Sequence, residues 1–498
     1  MNPEMKSITD ILEAGARSAM SIEQIIEQEI KDWMASDERK LMLIGVNYYK
    51  GDSDIIKNKR KVIGPGGVLV EATNLANNKL PHGFIRKLVD QKAGYLLGKP
   101  LSIQTDNTNY EEALSSFFDK KMLRTLKSLG KEATKKGRAW LHVYYNELGQ
   151  LSFMTIPSEE IIPLWRDAAH TELEAVIRVY DTVVYLGTEK KTIRKVEFWH
   201  ENGVDRYTLG IADGVANNFS SLMRDVESEE NTGHFNVDIE GNVQPLNWER
   251  IPFICFKYNE DELPLIKGLK SLVDDYDKKK SDNSNNVEDE PNSILILTNY
   301  DGEDLGEFRR NLSTYRAVKV QSGAGYEGGV ESLSVDINNE AYQNHVEALR
   351  KDIYEFGRGV DTQSNSFGNS PSGIALRFLY SDLDMDANDL ETEFQASLEQ
   401  LTWFIDQHLY NTTKADYSDV EVTYIFNRDI LINETETVEN AKNSVGILSD
   451  ETVVSNHPWT SNVQDELKRI EMQRKAEMDQ FNNYPTLDKE SQNEDQAE

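Results

Sequence analysis

Residues 372–410 contain no proline and a single glycine, Gly373. A stretch so free of breakers predicts one long helix, with Ser370 as its N-cap and Pro371 as its first helical residue. At 1.5 Å per residue it would run roughly 60 Å if straight. A helix of that length sets the scale of the whole fold. Its middle, SDLDMDANDLE (residues 381–391), loses apolar density, which predicts a bend or exposure there.

What precedes this helix is its opposite. Tyr342, Val346, Leu349, Ile353 and Phe356 alternate at four and three, predicting a helix capped by Asn338 or Asn339 and stopped by Gly357. Between the two lies GVDTQSNSFGNSPSG, from Gly359 to Gly373. Gly359 and Gly368 suggest a run that can move, and Asp361, Thr362, Gln363, Ser364, Asn365 and Ser366 are short and hydrated. The run holds no Lys or Arg to trap a phosphate, and Arg358 stands just outside it. By residue type alone it could cradle a phosphate, carry a nucleophile or project into solvent.

Elsewhere the pattern alternates between helical and β textures. Ile22–Trp33, Leu80–Pro100 and Tyr110–Lys136 have helical spacing. In the second of these, Phe84, Ile85, Leu88, Val89, Ala93 and Leu96 share a face. From Arg138 to about Tyr258 the chain reads as β. It has hairpins about Gly149, about Asn202-Gly203 and about Gly241. Pro264–Glu288 is again helical, but its later half, KKKSDNSNNVEDE, has almost no apolar face. A helix in a ring of neighbours, with one end wet, would tolerate that. A small α/β insert follows, with strands SILILTNY and YRAVKVQS around an acidic helix near Glu303–Leu312. VEVTYIFNRD adds one more strand. Helical pieces at Glu434–Val445, Asp450–Val454 and Val463 to about Met478 lead to an acidic tail expected to be disordered.

The 498 residues are enough for several domains. With 54 Lys and Arg against 86 Asp and Glu the net charge is −32, so bulk charge draws the chain to neither DNA nor anionic lipid. DNA as a passing cargo is compatible with it, because an acidic wall repels phosphate and prevents sticking. The lone Cys255 excludes an internal disulfide framework and a cysteine zinc site, and its apolar setting, IPFICFKY, reads as a core thiol. The N-terminus lacks a signal layout and no apolar run approaches a membrane span. These point to synthesis in a reducing cytosol, with no membrane partner.

Signatures for enzyme chemistry fail on inspection. Gly323, Gly325 and Gly328 form a G-x-G-x-x-G after a strand, but VESLSVD after it alternates like a strand, where the dinucleotide site needs a helix N-terminus. GYLLGKP (Gly94, Gly98, Lys99) is one residue short of a phosphate loop, and Pro100 stands where the metal-binding hydroxyl belongs. Asp382, Asp384, Asp386 and Glu393 have calcium-loop spacing, yet Ala387 replaces the required glycine and the segment lies in a helix. A solvated acidic face is the plainer reading. The eight histidines show no ligand spacing. No catalytic residue, metal site or cofactor is expected. The alternatives are a nucleotide- or metal-dependent nucleic-acid enzyme built on the glycine loop or on Asp382–Glu393, and a generic ring-forming structural protein.

The order of parts is the most specific signal: an α+β body, a helix, a small insert, a helix, a polar loop, a very long helix and a helical C-terminus. That order resembles the portal proteins of tailed bacteriophages, the head-to-tail connectors of siphophage type. Local sequences are similar too: YYKGDSDI, NNKLPHGFIRKLVDQKAGYLLGKP, GRAWLHVY, EFRRNLSTYRAVKV, LRKDIYEFGRGVDTQSNSFGNSPSGIALRFLYSDLDMDAN and NHPWTSNVQDELKRIE.

The resemblance implies an α+β portal fold assembled as a cyclic ring of about a dozen identical chains with head-to-tail interfaces. It would sit at one capsid vertex, be assembled in the host cytoplasm, nucleate the procapsid, and pass double-stranded DNA in packaging and ejection. On this chain it implies a flexible N-terminus (1–21), a wing (22–262), stem helices (263–290 and 333–358), a clip (291–332), a tunnel loop (359–371), a long channel and wing segment (372–430), a crown (431–480) and a disordered tail (481–498). The tunnel loop would place Val360, Asp361, Thr362, Gln363, Ser364, Asn365, Ser366, Phe367 and Gly368 around DNA. The clip, with Glu307, Arg309, Arg310, Arg316 and Lys319, would dock partners. Those partners would be the terminase large subunit and head-completion or connector proteins, with scaffolding and major capsid proteins elsewhere on the ring.

Overall fold

A computed structural model describes residues 21–64, 67–73, 75–186, 189–211, 219–225, 232–239, 242–289, 293–299, 304, 306, 308, 319–321, 323, 325, 327–334, 339–363, 373–428, 434–460 and 463–482. The elements run α1 (Ile22–Ala35), α2 (Asp37–Lys50), β1 (Lys61–Ile63), β2 (Leu69–Glu71), α3 (Phe84–Leu97), β3 (Ser102–Gln104), α4 (Thr108–Phe117), α5 (Lys120–Lys136), β4 (Arg138–Tyr145), β5 (Leu151–Ile156), β6 (Ile161–Trp165), β7 (Leu173–Leu186), β8 (Glu189–His200), β9 (Gly203–Ile211) and β10 (Phe219–Arg224). They continue β11 (Phe235–Ile239), β12 (Asn242–Leu246), β13 (Phe253–Lys257), α6 (Ile266–Asp289), β14 (Ser293–Thr298), β15 (Gly329–Ser334), α7 (Asn339–Phe356), α8 (Gly373–Thr413), β16 (Thr423–Ile425), α9 (Glu434–Ser444), α10 (Asp450–Ser455) and α11 (Val463–Asn482). Two units result: Met1–Gln91 with Leu129–Asp361, and Lys92–Ser128 with Thr362–Glu498.

The first unit is built on an antiparallel sheet in the order β10-β9-β8-β7-β6. Strand β7 explains its burial on both faces. Ala175, Ile177 and Val179 join Ile26, Ile30 and Trp33 of α1 in one apolar cluster. Val176, out of phase by one, joins Trp140 and Phe253 of the second sheet, β13-β4-β5, in another. Period-two alternation thus serves two layers at once. Cys255 lies in the second cluster as a buried free thiol.

Helix α2 is a departure from the sequence reading. Ser36 both ends α1 and starts α2: its hydroxyl donates to the Trp33 carbonyl at 2.7 Å and accepts the Arg39 amide at 3.1 Å. The predicted helix Tyr110–Lys136 likewise divides into α4 and α5. Asp119 interrupts it by accepting the Met122 amide at 2.8 Å, the role of an N-cap.

Helices α6 and α7 form an antiparallel pair. His345 of α7 meets Asp275 of α6 at 3.2 Å, while beyond the far end of α7 a side chain added at Gly357 would touch Leu269. Between the pair, β14 pairs with β15 from Ser293↔Ser334 to Thr298↔Gly329. The second strand of the insert is therefore the one that follows the glycine loop. The segment expected there, YRAVKVQS, and the helix expected near Glu303–Leu312 lie largely outside the described residues. Of the predicted α7 face, Val346, Leu349 and Ile353 are buried, but Phe356, at the last residue of the helix, is 66% exposed.

The polar half of α6 is exposed at its end, Val287 being 70% exposed, but it buries one polar face. Asp277, Ser281 and Asn285, each four residues on, are all buried. Asp277 Oδ1 accepts the His82 amide at 2.9 Å, Ser281 Oγ the Leu80 amide at 3.0 Å, and Asn285 Oδ1 the Asn78 amide at 2.5 Å. Asn78 Nδ2 also donates to Glu288 at 2.6 Å. Four helical residues rise about 6 Å and two extended residues about 6.6 Å, so the two repeats match. The helix face reads the backbone of residues 78–82 rung by rung.

In the second unit α8 is unbroken from Gly373 to Thr413. Residues 370–372, including the predicted cap, lie outside the described residues. The acidic middle of α8 stays helical and divides into two faces: Asp382, Met385, Asn388 and Asp389 are exposed, as the loss of apolar density predicts, and the opposite face is buried. Leu383, Ala387 and Leu390 are buried among its acids. Asp386 is itself buried, 2.8 Å from the Nζ of buried Lys92. Asp384 accepts from Tyr95 at 3.0 Å and pairs with Arg428, which also reaches Glu391 at 2.6 Å. Further along, Tyr110 donates to Asp406 at 2.5 Å and stacks on Tyr417, and β16 pairs with β3.

Candidate functional site

The start of the polar run is a built structure. The Gly359 amide bonds the Tyr354 carbonyl at 2.9 Å and the Arg358 amide bonds the Glu355 carbonyl at 3.1 Å. Arg358 has φ 46°. These are the two bonds and the left-handed residue of a Schellman motif. The left-handed position falls on an arginine, flanked by two glycines that are there for another reason. A Cβ on Gly357 would lie 2.8 Å from Leu88 Cδ1, and one on Gly359 2.2 Å from Leu88 Cδ2. Both glycines let the chain close over Leu88. The expectation that Gly359 gives freedom of movement is therefore corrected: it is a contact glycine.

Val360 and Asp361 are fixed in the same way, and Asp361, expected as a hydrated side chain, is half-buried. Val360 is buried, and Gln91 holds its backbone at both ends: Oε1 accepts the Val360 amide at 3.0 Å and Nε2 donates to the Val360 carbonyl at 3.2 Å. Asp361 accepts two parallel bonds from Arg350, both 2.8 Å, the fork geometry that makes such pairs strong. Those hydrogen bonds outweigh burial and hold the Arg350 guanidinium above its ordinary value. Tyr354, buried beneath, has Lys87 Nζ 5.0 Å and Arg350 Cζ 5.8 Å from its ring centre, a cation–π arrangement on each count. After this root, Thr362 and Gln363 form an exposed turn. Ser364, Asn365, Ser366, Phe367 and Gly368 lie outside the described residues.

In the insert, Lys319 is exposed, while Glu307, Arg309, Arg310 and Arg316 lie outside the described residues. Phe308 is buried. Gly325 has φ 100°, and a Cβ on Gly328 would lie 2.2 Å from the Gln321 carbonyl oxygen. Gly325 is thus a left-handed turn residue and Gly328 a close-approach glycine just before β15. Gln91, Leu88 and Arg350 carry the root and were not singled out for it in the sequence. Gln91 lies in an ordinary amphipathic helix, and no spacing rule ties it to Val360, 269 positions on.

No helix among the described residues is long and apolar enough to cross a membrane. Among those residues no group of three or more His, Cys, Asp or Glu could hold a metal ion.

The family model for phage portal proteins of the SPP1 Gp6-like type matches residues 36–480. The portal protein of Bacillus phage SPP1 is 29% identical over 487 residues, covering 95% of this chain and 93% of its own. The portal protein of Clostridium phage phiCD119 is 31% identical over 470 residues, covering 90% and 96%. A solved structure, the neck of a native GTA particle computed with C12 symmetry, is similar at 12% identity and a TM-score of 0.36, covering 79% of this chain and 94% of that one. The chain belongs to the phage portal protein family of the SPP1 Gp6-like type. It is thus a structural component of a phage head, and its place is in the DNA-packaging channel.

Proposed function

We propose that about twelve copies of this chain close into a ring at one capsid vertex. Double-stranded DNA enters and leaves through its bore. The chain itself is non-catalytic, as befits a structural family, and nucleotide hydrolysis belongs to the packaging motor that docks on it. The antiparallel pair α6–α7 forms the stem. The insert between them, with Arg309, Arg310, Arg316, Lys319 and Glu307, is the clip that meets the terminase and later the head-completion proteins. The helical C-terminus is the crown, and the unit around the β10–β6 sheet is the wing. Scaffolding and capsid proteins would meet the outside of the ring.

The observation that carries this reading is the root at residues 357–361. Its latch of Leu88, Gln91 and Arg350 sits where the stem hands over to the polar run, so that run leaves a fixed point. A narrow bore needs many weak contacts with phosphate and no strong ones, and residues 362–368 offer amides, hydroxyls and no cation. The tunnel loop is accordingly residues 362–371, with Val360 and Asp361 as its mount.

The test is deletion of residues 362–367 with the mount retained. Rings should form at the wild-type mass by native mass spectrometry, while DNA packaged per procapsid, or its retention, falls at least tenfold. Normal packaging by the deleted chain would remove the loop from the mechanism. A wild-type chain without an axial hole in negative stain would remove the ring.

A further inference from the structure

The hairpin β1–β2 has no core of its own. Its register is short, Lys61↔Glu71, Val62↔Val70 and Ile63↔Leu69, and its apolar side chains face solvent. Ile63 is 77% exposed, Val68 64%, Leu69 63% and Val70 42%. An isolated two-stranded hairpin is marginal in water unless something packs on it. Ile63 and Leu69 share one face of the ribbon and Val70 lies on the other, so aliphatic side chains exposed on both faces mark an element that inserts into a contact.

Its root, by contrast, is firmly tied. The Ala72 amide bonds the Arg60 carbonyl at 2.9 Å, and Arg60 donates to the Ala76 carbonyl at 2.7 Å. Lys79 donates to the Ile56 carbonyl at 2.8 Å. Immediately beyond, Asn78, Leu80 and His82 are held by the ladder on α6. An apolar tip on a fixed root is a pre-organised binding element, because its position is set before any partner arrives.

Charge identifies the partner. Lys57, Lys59, Arg60 and Lys61 stand within five residues. Lys57 lies 4.0 Å from Asp54 and Lys59 2.8 Å from Glu71, yet residues 54–71 keep four cations against two acids on a chain of net charge −32. The arm is a basic, aliphatic element on an acidic molecule. Copies of such a chain repel one another unless a basic surface of each meets an acidic surface of the next. DNA would meet the local excess of positive charge but would leave Ile63, Val68, Leu69 and Val70 uncovered. A second copy satisfies both. A contact in which an arm on one copy meets a different surface on the next is heterologous, the kind that closes rings.

We propose that the β1–β2 hairpin is an arm that packs its aliphatic tip on a neighbouring copy of this chain, steered there by Lys57, Lys59, Arg60 and Lys61. The proposal rests on the ring reading above and adds the element that links one copy to the next.

The experiment places a benzophenone amino acid at position 69 of the full chain and irradiates the purified assembly. Covalent dimers are expected, with the cross-linked peptide arising from a second copy in mixtures of isotope-labelled and unlabelled chain. In parallel, L69D/V70D should raise the concentration for half-assembly at least tenfold by mass photometry, with an unchanged circular dichroism spectrum. Leu69→Ser should give a smaller shift in the same direction. Cross-links confined to one copy, or a L69D/V70D chain that assembles at the wild-type concentration, overturn the arm while leaving the ring standing. A K59E/R60E/K61E chain that assembles normally but loses affinity for a 30-base-pair duplex overturns it in favour of nucleic acid. A wild-type chain that stays monomeric overturns both readings.

Discussion

The polar half of α6 and the acidic middle of α8 look alike as sequence, since each is a helical stretch whose apolar face fades. In the fold each buries part of its polar surface, in different ways. On α6, Asp277, Ser281 and Asn285 accept backbone amides from residues 78–82. On α8, Asp386 and Asp384 are met by the cations of Lys92 and Arg428. The first face uses short hydrogen-bonding side chains at a fixed four-residue repeat, and the second uses charge against charge. The difference matters because a bond lost at Ser281 or Asn285 leaves a dipole unsatisfied, whereas a countercharge lost beside Asp386 leaves an ion in a poor solvent.

The comparison can be broken most severely at Lys92. Lys92→Met strands Asp386 and should destabilise the chain by about 3–5 kcal/mol in urea unfolding. Adding Asp386→Leu should recover most of that loss. A double variant no better than the single would show that the pair is not a unit.

The charged class also occurs in the first unit, at Glu262. Burial pushes its carboxyl up, but the Arg138 charge and hydrogen bonds from His170 and Arg138 outweigh this and hold it below its ordinary value. A depressed carboxylate stabilises above its unfolded value near 4.5 and loses that contribution as pH falls through its lower folded value. Glu262→Gln should therefore cost about 3 kcal/mol at pH 7, and its deficit against the wild type should shrink as the pH is lowered below 4.5. A deficit that stays constant down to pH 3 would contradict the assignment.

Asp277→Ala should cost somewhat less, about 2–3 kcal/mol, by stranding the His82 amide and ring nitrogen together with the Ser53 hydroxyl. Hydrogen exchange should then quicken at Asn78, Leu80 and His82 together if the ladder acts as one strap. Quickening at His82 alone would make its rungs independent. The mildest change is Ser281→Ala, about 1 kcal/mol by the same measurement, since it removes one neutral bond.

Much of the fold was legible. The hairpins about Gly149 and Asn202-Gly203, the helix pair around the insert and the long α8 follow from turn chemistry, period and the absence of breakers. The break between α4 and α5 was not, because Asp119 acts as a cap only once its side chain turns back to Met122. Helix α2 was missed because Ser36 serves two helices. At the candidate site, the polar run was evident from composition, but its mount was not. Gly357 and Gly359 invited a reading in terms of flexibility, and only their closeness to Leu88 reveals them as contact residues.

By itself the sequence determined the order of the parts, the family to which they belong and the acidic character of the chain, since local periodicity and composition survive without knowledge of neighbours. Tertiary structure alone decided which polar residues are buried and what each one meets. Gln91 and Val360 are far apart along the chain, as are Lys92 and Asp386, and a hydrogen bond or ion pair between distant residues depends on where folding brings them, a relation that no local pattern encodes.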